Sequence, residues 1–209
     1  MSVNLDQMIM IKPPGDVESV VLRPGPPLYR YSDEEFARFC AEYPDLRIEM
    51  NSAGEVIIMA PVVSEGGKRN FTLTVRFGAW VEKDGTGVGF DSSTGFTLPN
   101  GAKRSPDVSW IRRERWDALT DDQKNEFAPI CPDFVAELRS KSDRLSSLQE
   151  KMEEYIANGA QLGWLIDPIE KKVHIYRPGA EPQVIANPSE ISGEGSLHNF
   201  TLDLDGILG

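Results

Sequence analysis

The chain has 209 residues, of which 40% are hydrophobic and 26% are charged, as expected for one globular domain with a substantial core. Its net charge is −11, which argues against a protein that coats nucleic acid non-specifically, because such binding needs many Lys and Arg contacts to phosphate. No apolar run approaches the ~18–20 residues of a membrane-spanning helix, so we expect no membrane span.

The first residues and the cysteine content favour a cytoplasmic location. Residues 1–12 carry no basic leader followed by a long apolar stretch, so we expect no signal peptide. Cys40 and Cys131 are the two cysteines. In a chain without an export signal, two cysteines are more often buried thiols than a disulfide.

Residues 1–31 are rich in proline and lack hydrophobic periodicity. Their Pro-Pro and Pro-Gly steps cannot enter a helix or a central strand, which predicts an extended arm. Ser32 has the character of a helix N-cap, and Glu35 three residues later completes a capping box. The helix that follows should end before Pro44.

A hairpin and an ambiguous segment follow this helix. Strands at 47–50 and 55–60 are joined by turn-forming residues, which predicts a β-hairpin. Residues 66–82 fit two structures, because their apolar residues alternate as in a strand but also fall on one face of a helix. The length of the segment favours the helix.

The second half of the chain alternates predicted strands and helices. Strands are predicted near 87–90, 95–98, 106–111, 134–138, 162–167 and 173–177. An amphipathic helix is predicted from Leu145 to Ile156 and should end at Gly159. With no repeat and no linker, we predict one domain, divided into an arm (1–31), a core (32–180) and a C-terminal extension (181–209).

Two acidic residues lie at the ends of predicted strands. Asp107 starts one apolar strand and Glu137 lies near the end of another. Asp is depleted in strands, and carboxylates are costly to bury unless they are paired or bound to a metal. The segment between them is long enough to bring the two strands side by side. Two carboxylates at adjacent strand ends form a hard oxygen site suited to Mg²⁺ or Mn²⁺.

The residues after Glu137 extend this candidate site. The Leu138 side chain should point into the core while its carbonyl could face the metal. Arg139 alternates back to the side of Glu137, where a cation could orient the attacking water or hold a phosphate. Basic residues flank both acids, namely Lys103, Arg104, Arg112, Arg113, Arg115, Arg139, Lys141 and Arg144. Such charge runs are usually solvated surface, but their coincidence with the acids favours a phosphodiester substrate.

Six segments between about residues 30 and 180 together indicate a protein family more specifically than the two acids alone. In chain order they are Arg47-Ile48-Glu49, Val56 to Pro61, Ser105-Pro106-Asp107-Val108, Val135 to Asp143, Lys151 to Tyr155 and Gly163 to Pro168. In this order and spacing they resemble the Uma-type putative restriction endonuclease family, a bacterial branch of the PD-(D/E)XK nuclease superfamily.

The resemblance implies an α/β fold of the restriction-endonuclease type, with a mixed central sheet flanked by helices. Its core order is helix, three strands, helix and strand, and residues 66–82 are then helical. It implies a Mg²⁺- or Mn²⁺-dependent endonuclease that hydrolyses DNA, with Asp107 and Glu137 as metal ligands. Glu49 is either a supporting acid or an exposed hairpin residue. From this function we expect a homodimer, because two-fold related sites cut both strands most simply.

One position departs from the family pattern. The superfamily's lysine position is occupied by Arg139, which stays protonated and cannot shuttle a proton, although it can bind phosphate bidentately. Lys141 and Lys151 could supply an ammonium group, and Gln149 either points toward the site or is a solvated helix residue. The alternative to an endonuclease is therefore a catalytically inactive nuclease-fold module for binding or assembly.

Overall fold

The computed structural model describes residues 8–11, 20–24, 31–59 and 61–209, with the backbone alone for the first two ranges. Its strands are β1 (Met8–Ile11), β2 (Val20–Pro24), β3 (Arg47–Met50), β4 (Val56–Met59), β5 (Gly87–Asp91), β6 (Phe96–Thr97), β7 (Lys103–Arg104), β8 (Val108–Arg112), β9 (Phe134–Leu138), β10 (Leu162–Asp167), β11 (Lys172–Tyr176), β12 (Gln183–Ala186), β13 (Glu190–Ser192) and β14 (Thr201–Asp203). Its helices are α1 (Asp33–Glu42), α2 (Ser64–Asp84), α3 (Arg113–Asp117), α4 (Asp121–Lys124) and α5 (Leu145–Ala157). Within these ranges, no helix has the length and apolar character needed to cross a bilayer.

The central sheet has six strands in the order β12-β11-β10-β9-β8-β5. Strands β9 and β10 are parallel and the other neighbours are antiparallel, so the sheet is mixed. Helix α2 packs on one face and α5 on the other. This arrangement confirms the predicted mixed sheet flanked by helices.

The order of elements around this sheet also matches the order that the resemblance implies. Helix α2, strands β5, β8 and β9, helix α5 and strand β10 follow one another along the chain. Residues 66–82 are helical, as their length favours, because Leu73 and Phe77 pack against the sheet from one face of α2. The helix ends at Gly85, whose φ of 67° is left-handed and suits a residue without a Cβ.

Alternate residues of β9 face opposite sides of the sheet. Phe134 and Ala136 join the core beneath α2, whereas Val135 joins the core beneath α5. Glu137 therefore points toward α5. Leu138 packs against the α2 core, which confirms the predicted direction of its side chain.

A second sheet of six strands, in the order β1-β2-β4-β3-β7-β6, was not expected from the sequence. The predicted hairpin is present as β3 and β4, and α1 begins at the predicted capping box of Ser32 and Glu35. The predicted extended arm contains β1 and β2, which pair with each other, and β2 also pairs with β4. The predictions made for residues 1–7, 12–19, 25–30 and 60 lie outside the described residues.

The C-terminal extension contributes to the same core as the central sheet. Strand β12, which belongs to the extension, is an edge strand of the central sheet. Strands β13 and β14 pair with each other in a separate two-stranded sheet. Leu197, Phe200 and Leu202 are buried against the α2 face of the sheet. The Arg76 guanidinium in α2 donates to the Asp203 carbonyl at 2.6 Å, so α2 and the extension are also joined by hydrogen bonds.

Candidate active site

Asp107 and Glu137 line one cavity of about 470 Å³. The Asp107 N–H donates to the Ala136 carbonyl at 3.1 Å, and the Leu138 N–H donates to Asp107 Oδ2 at 2.8 Å. These bonds join the start of β8 to the end of β9 and bring the two acids to the same edge of the sheet. Their exposed fractions are only 6% and 4%, so both carboxylates depend on nearby partners.

Asp107 is held by side chains from two other elements. Arg47, in β3, approaches Asp107 Oδ1 at 3.3 Å and also donates to the Ser105 carbonyl at 2.6 Å. Asn70, in α2, donates to the same Oδ1 at 3.0 Å. The second sheet, the long helix and the central sheet therefore meet at this carboxylate.

Glu137 is held by the inner face of α5. Lys151 Nζ lies 2.8 Å from Glu137 Oε1, and the Tyr155 hydroxyl donates to the same oxygen at 3.0 Å. Lys151 and Tyr155 are four positions apart, so they share one face of the helix. Lys151 Nζ also lies 2.8 Å from Glu49 Oε1, so one ammonium bridges two acids.

Glu49 is buried, and the alternative of an exposed hairpin residue is therefore wrong. Besides Lys151, it accepts bonds from the Arg104 guanidinium and the Ser105 N–H, both at 3.1 Å. Arg104 in turn reaches Glu154 at 2.6 Å. Glu49 thus pairs with two cations, Arg104 and Lys151, and Lys151 in turn pairs with Glu137.

The connected network carries one more acid than base. Its carboxylates belong to Glu49, Asp107, Glu137 and Glu154, and its cations are Arg47, Arg104 and Lys151. Burial raises the pKa of Glu137 to about 7, and the charges of Asp107 and Glu49 act in the same direction, against Lys151. Burial also opposes ionisation of Glu49, but Lys151 and Arg104 lower its pKa to about 2. Of the two acids that share Lys151, Glu137 is therefore harder to ionise than Glu49.

A second cavity of about 600 Å³ adjoins the first. Lys151 lines both cavities, together with Met59, Asp143 and Leu148. Glu49 and Arg104 line the second cavity and not the first. Lys151 therefore links the two cavities, because it pairs with Glu137 in the first and with Glu49 in the second.

The sequence matches the Uma2 family, described as putative restriction endonuclease, over residues 33–205. The chain belongs to this family. The structure of a putative nuclease belonging to DUF820 from Anabaena variabilis is similar to it, with a TM-score of 0.65 and 20% sequence identity. That match covers 80% of this chain and 96% of the other, and at this identity it shows the fold. No curated protein matches the chain.

Arg139 lines the cavity of this Uma2-family chain. Its guanidinium lies 2.7 Å from the buried Asp167 and 3.8 Å from Glu170. It also donates to the Asp143 carbonyl at 3.4 Å. These contacts tie the loop after β9 to the end of β10.

Two of the basic residues that flank Asp107 along the chain, Lys103 and Arg104, are buried and paired, so they are not free to neutralise a phosphodiester. Lys103 is paired with Asp33 at 2.6 Å, and Arg104 belongs to the buried network. Arg115 lies 2.9 Å from Asp133, which Arg112 also approaches at 3.7 Å. The sequence shows the charges but not the acids that the fold places beside them.

The two lysines considered from the sequence differ in position. Lys151 reaches the acids, while Lys141 is exposed and lines the first cavity. Gln149 is half-buried and lines neither of the two cavities described above.

Arg47, Asn70 and Tyr155 were not recognised from the sequence as site residues. Two spacings carried a usable signal. Arg47 and Glu49 alternate within β3 and so share a face, and Tyr155 is one helical turn from Lys151. Asn70 gave no such signal, because its approach to Asp107 depends on how α2 packs.

Proposed function

We propose that this Uma2-family chain is a metal-dependent endonuclease that hydrolyses DNA phosphodiester bonds. The observation that carries the proposal is the meeting of Asp107 and Glu137 in one cavity, where burial and the neighbouring carboxylates raise the pKa of Glu137. A cation bound between the two carboxylates would favour the ionised form of Glu137.

The donor set fits Mg²⁺ or Mn²⁺. Among the described residues, no group of three or more His, Cys, Asp or Glu side chains is placed to hold a metal. Mg²⁺ keeps several waters and often binds through one or two carboxylates together with substrate phosphates. Asp107 and Glu137 would be its side-chain ligands and the Leu138 carbonyl a third. A bound ion would lower the pKa of a water and offset charge on the phosphate.

Lys151 takes the place of the missing lysine in this proposal. Burial opposes its charge, but Glu137 and Glu49 raise its pKa, so it remains an ammonium group. From 2.8 Å it can orient Glu137 and neutralise charge as a phosphate enters. Arg47 and Asn70 fix the orientation of Asp107 in the same way.

Arg139 has a different role in this scheme. Its contacts with Asp167 and Glu170 support positioning of the cavity-lining loop, in place of the phosphate contact that the sequence suggested. Lys141, on the same loop, is exposed and is the better candidate for a phosphate contact. DNA as the substrate, a homodimer and a cytoplasmic location remain proposals.

Cleavage of plasmid DNA during a titration with Mg²⁺ or Mn²⁺ tests the proposal. Asp107→Asn and Glu137→Gln should each lower the cleavage rate by at least about a hundredfold. Asp117→Asn, which removes an exposed charge from α3, is the matched control and should keep the wild-type rate. Metal-dependent cleavage that survives both site substitutions would contradict the assignment.

A second function, an inactive nuclease-fold module, is favoured by one observation: Asp107 and Glu137 already have cationic partners. It predicts no cleavage with any divalent metal and DNA or partner binding that tolerates Glu137→Gln. The same titration, read by cleavage and by fluorescence anisotropy of labelled DNA, separates the two functions.

A further inference from the structure

The outward face of α2 carries a stripe of exposed side chains that runs along the helix. Helical spacing places its members one above another. They are Lys68, Phe71, Val75, Ala79 and Glu82, here called the outer stripe, and all are exposed. Three apolar residues thus form its middle and two opposite charges its ends.

The middle of the outer stripe is unusual for a surface helix. Phe71 is 70% exposed and Val75 is 52% exposed, although they lie one helical turn apart. A surface helix normally turns a single apolar face inward, and α2 already buries Leu73 and Phe77 on the opposite side. A second apolar face is typical of a helix that has a partner.

The outer stripe is complementary to itself. Phe71 and Ala79 each lie four positions from Val75, on opposite sides, so an antiparallel copy centred on Val75 would set the large ring over the small methyl. Lys68 and Glu82 each lie seven positions from Val75, so each ammonium would meet a carboxylate of the other copy.

Both end charges are available for such a contact. Lys68 Nζ is 3.9 Å from Glu65 on the same helix, a weak exposed pair. Glu82 has no ion-pair partner among residues 31–59 and 61–209. Within the described part of the chain, neither charge would have to leave a strong bond.

We propose that the outer stripe is a homodimer interface in which two copies of α2 pack antiparallel about Val75. The occupant is a second copy because large meets small and positive meets negative in that pairing. No member of the stripe lines either cavity, so the interface does not depend on the metal chemistry. It would hold two sites in fixed relation, since Arg69 and Asn70 of the same helix line the first cavity.

Sedimentation velocity of the full chain over a concentration series tests the interface. Val75→Glu places like charges on the two-fold axis and should raise the dimer dissociation constant more than about a hundredfold. Val184→Glu is the matched control, because Val184 is equally exposed at 51% but lies on β12. A monomeric wild-type chain, or equal dissociation by the two variants, would overturn the proposal.

Charge exchange tests the orientation. Lys68→Glu or Glu82→Lys alone should weaken the dimer about tenfold, because each sets like charges face to face. The double variant restores opposite charges and should return to within about threefold of wild type. A double variant as weak as either single one would rule out the antiparallel arrangement.

Covalent trapping gives a readout that does not depend on affinity. Oxidation should join two copies of the Val75→Cys variant and not of the Val184→Cys variant, because only Val75 faces itself. No cross-link in the first variant, or the same yield in both, would contradict the two-fold axis. Metal-dependent cleavage by the Val75→Glu variant, measured separately, keeps the result distinct from the proposed function.

Discussion

The Glu137 carboxyl is difficult to ionise, because burial and the nearby carboxylates of Asp107 and Glu49 raise its pKa. Its pKa of about 7 compares with about 4.3 for an unperturbed glutamate. At a pH between these two values, Glu137 keeps its proton in the folded chain but has released it in the unfolded chain. The stability that comes from this proton is complete below about pH 4 and is lost as the pH rises through 7.

The pH dependence of stability follows directly from this shift. Glu137→Gln removes the ionisation, so it should raise the melting temperature at pH 8 by roughly 2–4 °C. At pH 5 the melting temperatures of variant and wild type should nearly coincide. Differential scanning calorimetry at the two pH values checks the sign, and a larger gain at pH 5 would contradict it.

Lys151 is the residue on which the buried acids depend most. Lys151→Met leaves Glu137 without an ammonium partner and should lower the free energy of unfolding by about 3–5 kcal/mol. Lys172→Met breaks an exposed pair with Glu170 and should leave the free energy of unfolding close to the wild-type value. Urea denaturation of both variants makes the comparison, and equal losses would show that burial of the pair has no effect.

Elements with local signals could be predicted from the sequence. Helix α1 carries its own capping box, and the β3–β4 hairpin its own turn residues. The sequence predicted a strand near 95–98, where β6 lies, but not the sheet that contains it. β7 has only two residues and meets β3 at a single pair, Met50 with Lys103, so it has no periodicity of its own and forms only when distant segments come together.

The candidate site also contains residues that could be predicted from local sequence and residues that could not. Asp107 and Glu137 could be predicted because each lies at the end of an apolar strand. The partners of Asp107 come from β3 and α2, and their approach depends on how separate layers pack. Lys151 was considered from the sequence as a possible ammonium group, whereas Arg47, the cation beside Asp107, was not.

Strand β5 should tolerate no side chain at its first residue. A Cβ on Gly87 would lie 2.2 Å from the Trp110 ring of β8, so Gly87→Ala should cost about 1–3 kcal/mol. The control is Gly67→Ala in α2, where a Cβ meets nothing within 4 Å and should stabilise the helix by about 0.5–1 kcal/mol. Thermal unfolding of the two variants should therefore shift in opposite directions.

At the scale of the whole molecule, the C-terminal extension closes the core on the α2 side. Phe200 contacts Trp80, Phe77 and Trp164 with ring-centroid distances of 5.0, 5.7 and 5.8 Å. The extension therefore stabilises the same layer that carries Asn70 toward Asp107.

Phe200→Ala tests that contribution. Removal of this buried ring should lower the free energy of unfolding by about 3–5 kcal/mol. Val184→Ala, on the exposed edge strand β12, should change it by less than about 0.5 kcal/mol. Equal effects in urea denaturation would mean that the extension packs independently of the core.

Because Lys151 lines both cavities and pairs with an acid in each, a charged group bound in one cavity should change the affinity of the other. A negatively charged group in the second cavity would draw Lys151 away from Glu137. Glu137, without its cationic partner, would then bind a proton or a divalent ion more readily. Linkage makes the exchange mutual: an ion seated between Asp107 and Glu137 would release Lys151 to hold an anion on its far side.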